Sequence, residues 1–368
     1  MNQNLCHILS IPIEIIYVII NNRDILRAQD IIFFVSSNRF FLENIKIPIF
    51  RLSESGITDK ILNQDKYQNI EYLNFRNNNC LRATAYLPYL TKLNISATYP
   101  FDQASLNFLS PLSNLLFLDM SYNDYITSIS HLTSLTVLKC RSYNRLGKLN
   151  NIKSLTNLIS LDISQNQNIT NISDLTKLSK LHIDSTKIEQ NDINYLTNLT
   201  ILSASYTSIN NINHLINLTK LDISYNKNII DISTLTKLTE LNSECTIINQ
   251  NNINSLTNLV TLNIRHNKYI YDISHLSKLT FLNSGYTIIG QNSINNMHNL
   301  ISLCMCCNEN ITNIAHLTNL QYLDISGSKC KINQANIMNL LSLKNIEARY
   351  NNNITSTSHL TNLENNWH

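Results

Sequence analysis

Three cysteines form the densest group of potentially reactive side chains in the sequence: Cys304, Cys306 and Cys307. Cys304 and Cys306 are two residues apart, and this spacing places both side chains on one face of a short strand. Thiolates bind zinc well, but a structural zinc site needs four ligands in a tetrahedral arrangement. Cys304 and Cys307 have CxxC spacing, but no second CxxC pair accompanies them. We therefore predict no metal site and interpret these cysteines as small side chains that fill a strand.

The other residues that could do chemistry show no arrangement typical of an active site. Carboxylates such as Asp162 and Asp184 recur, but nothing in the sequence encloses them, and the glycine-rich phosphate-binding patterns are absent. Five histidines each precede a leucine at long intervals, which favours a loop or capping role: His131, His214, His275, His316 and His359. The sequence thus predicts a non-catalytic protein that uses no cofactor.

Composition and charge narrow the class of protein. Hydrophobic residues make up 43% of the 368 residues, enough for an apolar core, and the net charge is only +3. This balance favours neither nucleic acid nor a membrane as partner. The N-terminus lacks a basic segment and a small-residue cleavage site, and the eight cysteines follow no disulfide spacing. We expect a cytoplasmic protein with free thiols that is not secreted, which argues against an exported adhesin.

A phrase of about twenty residues recurs along most of the chain and must position every candidate residue. Leu155 to Asn166 reads LTNLISLDISQN, and Leu215 to Asn226 reads LINLTKLDISYN. Fourteen repeats and a truncated fifteenth begin at Tyr67, Leu87, Leu112, Leu132, Leu155, Leu175, Leu196, Leu215, Leu235, Leu256, Leu276, Met297, Leu317, Leu340 and Leu360. A fixed period of this kind is typical of a stacked solenoid.

The phrase resembles the leucine-rich repeat family. Leu158, Leu161, Ile163 and Asn166 match the family's LxxLxLxxN core. The resemblance implies an α/β-type solenoid in which each repeat adds one short strand to a parallel sheet on the concave face. In repeats whose phrase ends in Asn, the segment between strands, such as Ile169 to Leu175, is too short for a full helix, so we predict 3₁₀ or extended turns on the convex side.

The last position of the phrase alternates between two side chains. It is Asn at Asn123, Asn166, Asn226, Asn267, Asn308 and Asn351, and Thr at Thr98, Thr186, Thr207, Thr246 and Thr287. In the family this side chain turns inward and bonds to the backbone, and Thr offers one donor where Asn offers two. We predict a working unit of two repeats, about 41 residues long. The general abundance of Asn is interpreted as codon bias.

Side chains between and after the strand apolars are predicted to point outward on the concave face. Tyr and Arg are favoured at protein interfaces. We predict that a target protein contacts Tyr122, Lys139, Arg141, His182, Tyr206, Tyr225, Glu244, Arg265, Tyr286, Arg349 and Tyr350. The alternative is that each Tyr ring only packs along the strand ends. The sequence does not identify the target.

The first fifty residues do not carry the repeat, and they resemble an F-box. Ile11 to Ile15 reads IPIEI, similar to the family's opening Leu-Pro-x-Glu-Ile. Asp30 and Ile31 fit the start of a later helix, and Phe40 stands where many members have Trp. We predict an F-box-like helical domain over residues 1–50, a linker or N-terminal cap over 51–66 and a leucine-rich repeat solenoid over 67–368.

The F-box resemblance implies a partner. F-box helices bind the adaptor Skp1 within a cullin-RING (SCF-type) ubiquitin ligase, and the repeats then hold a substrate. The residues expected to contact the adaptor are Pro12, Ile15, Ile16, Ile19, Ile31, Val35 and Phe40. The alternative is a repeat scaffold or regulatory module whose N-terminal helices only cap the solenoid. The Asn- and Ile-rich style is similar to that of F-box/repeat proteins of giant DNA viruses of amoebae.

Overall fold

The structure is a computed structural model that describes residues 49–51, 71–76, 87–98, 101–108, 112–142 and 149–364. The chain divides into two compact units, residues 1–158 and 159–368, and each is described by itself. The predicted adaptor-contacting residues, Pro12 to Phe40, lie outside the described residues, so the F-box-like domain stays a prediction.

Every strand has three residues and runs parallel to its neighbours within its unit. The first unit contains Ile49–Arg51 (β1), Tyr72–Asn74 (β2), Lys92–Asn94 (β3), Phe117–Asp119 (β4) and Val137–Lys139 (β5). The second contains Ser160–Asp162 (β6), Lys180–His182 (β7), Ile201–Ser203 (β8), Lys220–Asp222 (β9), Glu240–Asn242 (β10), Thr261–Asn263 (β11), Phe281–Asn283 (β12), Ser302–Cys304 (β13), Tyr322–Asp324 (β14) and Asn345–Glu347 (β15). Strand order follows the sequence, and central residues pair in register, as Leu181 does with Leu202.

Each predicted repeat supplies one strand. The strands β2 to β15 begin five residues after the fourteen predicted repeat starts, which confirms the predicted parallel-strand solenoid. The additional strand β1 pairs with β2, with Ile49 opposite Tyr72. The phrase is degenerate there, because Asn44 and Ile47 stand where its first two leucines would be.

The apolar positions of the phrase form the core. In one repeat of the second unit, Leu175, Leu178, Leu181 and Ile183 are all fully buried, at 0% exposure. The central residue of each strand from β2 to β15 is Leu or Ile and points inward, and its two neighbours point outward, because side chains alternate across a strand. One repeat cannot bury this apolar face alone, so stacking of successive repeats stabilises the unit.

The segments between strands differ between the two kinds of repeat. The helices are Gln103–Phe108 (α1), Gln190–Ile193 (α2), Gln250–Ile253 (α3) and Gln334–Ile337 (α4), with a 3₁₀ turn at Gln291–Ser293. All except α4 follow a repeat that ends in Thr, where the longer segment leaves room for one helical turn, and Asn249 caps α3 by accepting a bond from Asn251 N. The predicted non-helical turns therefore hold for Asn-type repeats, whereas most Thr-type repeats form a short helix. Among the described residues, every helix is too short or too polar to cross a membrane.

The alternating Asn and Thr side chains form a buried ladder. Asn226 is fully buried, and its Nδ2 donates to Ile209 O at 3.1 Å and to Thr207 Oγ1 at 3.2 Å. Its Oδ1 accepts two backbone N–H groups of its own turn. Thr207 Oγ1 donates to Ala204 O at 2.8 Å within its own repeat. In the second unit an Asn therefore links two repeats while a Thr closes one. This fits the predicted two-repeat unit except at the adjacent Thr186 and Thr207, where the alternation is interrupted.

A second ladder uses glutamines at the helix starts, and the repeat phrase does not predict it. Gln250 Oε1 accepts the N–H groups of Tyr271 at 3.1 Å and Asp272 at 2.9 Å, and its Nε2 donates to Asp272 O at 2.7 Å. The same set of bonds to the next repeat recurs at Gln190, Gln291 and Gln334. Its sequence signal is a Gln three residues before an Ile at each of these places.

Four of the five repeated histidines cap the ends of these helical segments, as predicted. In each case the ring Nε2 lies 3.1–3.3 Å from the carbonyl oxygen of the Ile at the end of the preceding segment. The pairs are His214 with Ile193, His275 with Ile253, His316 with Ile294 and His359 with Ile337.

Candidate protein-binding face

Three columns of side chains define what we call the strand face of the second unit. The strand-end column holds the last residue of each strand, such as Asp222, and the turn column holds the residue two positions later, such as Ser224. The left-handed column holds the next residue, such as Tyr225. Successive repeats stay in register because Tyr225 N donates to Glu244 O at 2.9 Å, and equivalent bonds recur along the unit.

Most residues of the strand-end column have a structural task. Asp222 Oδ1 accepts hydrogen bonds from Ser224 N at 2.9 Å and from Ser224 Oγ at 2.7 Å. This closes a local turn directly after the strand, a common use of Asp and Asn side chains. The equivalent bond is made by Asn74, Asn94, Asp119, Asp162, Asn242, Asn263, Asn283 and Asp324. Asp and Asn in this column are therefore poor candidates for partner contacts.

All five predicted tyrosines lie in the left-handed column of their unit. Tyr122, Tyr206, Tyr225, Tyr286 and Tyr350 have φ between 54° and 62°, and their side chains are 38–82% exposed. A turn of this kind requires positive φ at its third position, where Gly or Asn is usual. A residue with a Cβ in this conformation costs on the order of 1–3 kcal/mol. The tyrosines thus occupy positions at which the backbone alone would favour glycine.

In the second unit three of these rings, those of Tyr206, Tyr225 and Tyr286, stack on a neighbouring ring. The ring centres of Tyr206 and Tyr225 are 4.6 Å apart with planes 9° from parallel, and those of His266 and Tyr286 are 4.4 Å apart at 18°. One face of each of these three rings therefore packs on a neighbour, as the alternative interpretation expects. Stacking also holds the rings in place before binding, which lowers the entropy lost when a partner docks.

Two charged residues lie beside the rings. Glu244 Oε1 accepts a hydrogen bond from the Tyr225 hydroxyl at 3.1 Å and lies 4.0 Å from Arg265 Nη1. The Arg265 guanidinium is 5.5 Å from the centre of the Tyr286 ring. The hydrogen bond to Glu244 raises the pKa of Tyr225 to about 12. Five predicted contact residues, from Tyr206 to Tyr286, thus form one group, which we call the aromatic group.

The remaining predicted contact residues lie outside the aromatic group: His182, Arg349 and Tyr350 in the second unit, and Tyr122, Lys139 and Arg141 in the first. Tyr350 is the most exposed tyrosine of the set, at 82%. The Lys139 ammonium lies 5.9 Å from the centre of the Phe117 ring.

Two features of the strand face were missed in the sequence. His266 adjoins the aromatic group, because its ring stacks on that of Tyr286. Asp184 in the turn column accepts bonds from Ser203 Oγ at 2.6 Å and Ser205 N at 2.8 Å. The strand-end column has Ser203 in this repeat where most other repeats have Asp or Asn, and Asp184 supplies the missing carboxylate. Both could have been found by aligning the columns and asking which side chains stand next to each other in consecutive repeats.

The cysteine cluster lies on the strand face at β13 and β14. Cys304 Sγ is 3.9 Å from Cys306 Sγ and 3.2 Å from Asp324 Oδ2. The hydrogen bond with Cys306 raises the pKa of the Cys304 thiol, and burial adds to the shift. The same bond lowers the pKa of Cys306. The interpretation of these residues as strand filling is therefore incomplete, because they meet a carboxylate of the next repeat.

Known proteins resemble the chain in structure. No family model matches it, and no curated protein matches its sequence. The functional domain of InlJ from Listeria monocytogenes, which includes a cysteine ladder, is similar with a TM-score of 0.57 and 23% identity, over 78% of this chain and 68% of that one. The leucine-rich repeat protein LIC12759 from Leptospira interrogans has a TM-score of 0.53 and 21% identity, over 82% of this chain and 85% of its own. Together with the strands and ladders described above, these likenesses show that the chain has the fold of the leucine-rich repeat proteins.

Proposed function

We propose that the chain is a non-catalytic binding module that holds a protein partner on the strand face of its second unit, at the aromatic group. The observation that carries the proposal is the juxtaposition of exposed Tyr rings with Glu244 and Arg265. Tyr and Arg are enriched among the residues that dominate binding energy at protein interfaces. The repeat fold offers such residues on an extended surface of aligned columns.

The backbone supports a binding role for the tyrosines. Gly would adopt the positive φ of Tyr206 and Tyr286 without a Cβ penalty. The core does not need these rings, because Tyr206 is 59% and Tyr286 is 42% exposed. Every described residue of the left-handed column in the second unit shares this positive φ, so the exposed Tyr ring at a position suited to Gly, and not the strain alone, favours a binding role.

The charges suggest what the partner presents. Glu244 and Arg265 are 4.0 Å apart, which is long for an ion pair, so each keeps hydrogen-bonding capacity for a partner. The Tyr206 and Tyr225 stack offers an aromatic surface beside them. A partner with an apolar side chain for the stack and a carboxylate for Arg265 fits this arrangement best.

Affinity capture with the Tyr206→Ser plus Tyr286→Ser double variant tests the proposal. Ser is a sound replacement because Ser185 already occupies the left-handed column with φ 54°. We expect a partner that wild type recovers to fall at least tenfold, because two anchor rings are lost. The matched control is Tyr195→Ser, since Tyr195 is 71% exposed but follows α2, outside the strand face. Equal recovery by wild type and the double variant would contradict the proposal.

A finer role is supported by the F-box resemblance of Ile11 to Phe40. In that role the chain is the substrate-recognition subunit of an SCF-type cullin-RING ligase in the cytoplasm. Skp1 binds the N-terminal helices, and the strand face holds the target. The chain itself would break no bond; it would raise the concentration of its target near the ubiquitin-carrying enzyme.

Skp1 binding separates this role from a plain repeat scaffold. We expect wild type to capture purified Skp1 and the Ile16→Asp plus Phe40→Asp variant to lose it, because charges are placed in an apolar contact. Tyr195→Ser again serves as the control. If folded wild type does not bind Skp1, and deletion of residues 1–50 only lowers solubility, the N-terminal segment acts as a cap.

A further inference from the structure

The spacing of the soft ligands at β13 and β14 suits a metal ion. Two sulfurs bound to one tetrahedral zinc ion at about 2.3 Å lie about 3.8 Å apart, and the Sγ atoms of Cys304 and Cys306 are 3.9 Å apart. A sulfur and a carboxylate oxygen on the same ion lie about 3.5 Å apart, against 3.2 Å between Cys304 Sγ and Asp324 Oδ2. All three ligand atoms lie within 4.8 Å of one another.

The neighbouring repeat leaves room for this cluster. A Cβ at Gly285 would lie 2.6 Å from Cys306 Sγ, so the thiol takes the space that a side chain would fill. Gly285 stands directly before Cys306 in the turn column, and all the other described turn-column residues of the second unit carry a side chain. The glycine therefore leaves the space that the Cys306 thiol occupies.

Two polar atoms beside the cluster point to something more than a thiol pair. Among the residues that the structure describes, three buried side-chain N or O atoms lack a hydrogen-bond partner, and two of them are Arg265 Nε and Ser326 Oγ. Ser326 follows Cys306 in the turn column, and Arg265 precedes Gly285. An unmet buried polar group costs about 1–3 kcal/mol, a cost that the ligand shell of a bound ion would relieve.

The charge of the site balances with an ion in place. Metal-bound thiols are deprotonated, so two thiolates and one carboxylate around a divalent ion carry a net charge of about −1. The guanidinium of Arg265 interacts electrostatically with both thiols and supplies the compensating positive charge.

We propose that Cys304, Cys306 and Asp324 bind a thiophilic divalent cation, zinc, on the strand face. Three protein ligands leave one coordination position open, as in zinc sites that exchange water for another ligand. The spacing of the cysteines alone does not predict this site, because the third ligand comes from the next repeat, 20 residues from Cys304. The site does not depend on the proposed function.

Cadmium titration of the reduced, metal-free full chain tests the site, because cadmium replaces zinc and gives an ultraviolet charge-transfer band with thiolates. We expect wild type to bind one equivalent with this band, and zinc to displace it. Cys304→Ser and Cys306→Ser should each lose the band. Asp324→Asn should weaken binding by at least the roughly 10–100-fold that loss of an outer-sphere partner costs.

The variants keep the fold, because Ser203 and Ser205 hold the two cysteine positions in an earlier repeat, and far-ultraviolet circular dichroism checks this. The matched control is Cys245→Ser, which removes a half-buried thiol elsewhere on the face and should bind as wild type does. In a second readout, zinc should protect Cys304 and Cys306 from alkylation in peptide mapping. A wild type without the band, or a Cys304→Ser plus Cys306→Ser variant that keeps it, overturns the proposal.

Discussion

The Tyr225 hydroxyl donates a hydrogen bond of 3.1 Å to Glu244 Oε1. The two residues come from neighbouring repeats and from different columns of the strand face. The ring of Tyr225 is also stacked on Tyr206 at 4.6 Å. The bond therefore holds one end of the ring and the stack holds its face, so the orientation of the ring depends on the register of three consecutive repeats.

We expect the Tyr225 phenol to titrate near pH 12, because the bond to Glu244 raises its pKa from 10.0 to about 12 and Cys245 adds to the shift. The folded state favours the neutral phenol. The stability that this bond contributes is therefore complete below pH 10.0 and is lost as the pH rises through about 12. A carbon-13 NMR titration of the tyrosine rings measures the pKa, and Tyr225→Phe assigns the signal.

Glu244→Gln is the informative variant for this prediction. The neutral amide still accepts the hydrogen bond but no longer repels the phenolate, so the pKa of Tyr225 should fall toward 10.0. Lys220→Gln serves as the control, because Lys220 pairs with Glu240 at 2.6 Å elsewhere on the unit. An unchanged titration of Tyr225 in Glu244→Gln would show that the carboxylate is not the cause.

Replacement of a ladder asparagine should weaken the stack of repeats. In Asn267→Ala, the carbonyl of Ile248 loses a donor at 2.9 Å, and the N–H groups of Tyr269 and Ile270 lose their acceptor. Each buried group left without a partner costs about 1–3 kcal/mol, so we expect the free energy of unfolding to fall by about 2–4 kcal/mol. Urea unfolding followed by circular dichroism measures it.

Asn217→Ala is the matched control for the ladder. Its Nδ2 donates to Thr197 O at 3.3 Å at the surface, where water can replace the bond, so the loss should stay below about 1 kcal/mol. Similar losses in the two variants would mean that burial does not set the cost.

The buried Asn residues of the ladder and the Asn residues at the surface show how far the sequence predicts this fold. The period and the strand positions were predictable, because a continuous core of Leu and Ile requires them, and the inward Asn was expected from the leucine-rich repeat resemblance. The abundance of Asn was interpreted as codon bias. That interpretation is incomplete, because surface residues such as Asn198 also bond to the preceding repeat, at 3.0 Å from Thr176 O. A column of surface polar residues adds nothing to the apolar period of the sequence. Its hydrogen bonds become visible only when neighbouring repeats are placed side by side in the structure.

The glutamine ladder should govern local opening of the backbone. Gln250→Ala removes the acceptor of the Tyr271 and Asp272 N–H groups. We expect their hydrogen exchange to speed up by roughly 5- to 150-fold, which corresponds to about 1–3 kcal/mol per unmet group. Gln250→Glu keeps the acceptor and should retain more of the protection.

Gln165→Ala is the control for that exchange experiment, because Gln165 is exposed in the left-handed column. It should leave the exchange of Tyr271 and Asp272 unchanged. Equal exchange in Gln250→Ala and wild type would show that the glutamine bonds do not limit local opening.

The candidate site was predictable only in part. The tyrosines and Arg265 were found because they recur in columns of the phrase. The strain at Tyr206 was not foreseen, since a Tyr gives no sign of positive φ where Gly is usual. The role of Asp324 beside Cys304 was missed for a different reason, as it depends on contact between residues 20 positions apart.

The last prediction concerns Gly327, the glycine of the left-handed column. It has φ +105°, and a Cβ there would lie 2.4 Å from Cys307 Sγ. Gly327→Ala should therefore lower the free energy of unfolding by about 1–3 kcal/mol through strain and overlap. Gly290→Ala is the matched control, because a Cβ at Gly290 meets nothing within 4 Å, and its effect should stay within about 1 kcal/mol. Adding Cys307→Ala to Gly327→Ala removes the overlap but keeps the strained φ, so urea unfolding should recover only part of the loss. Full recovery would assign the whole cost to the thiol, and no loss in Gly327→Ala itself would contradict the strained turn.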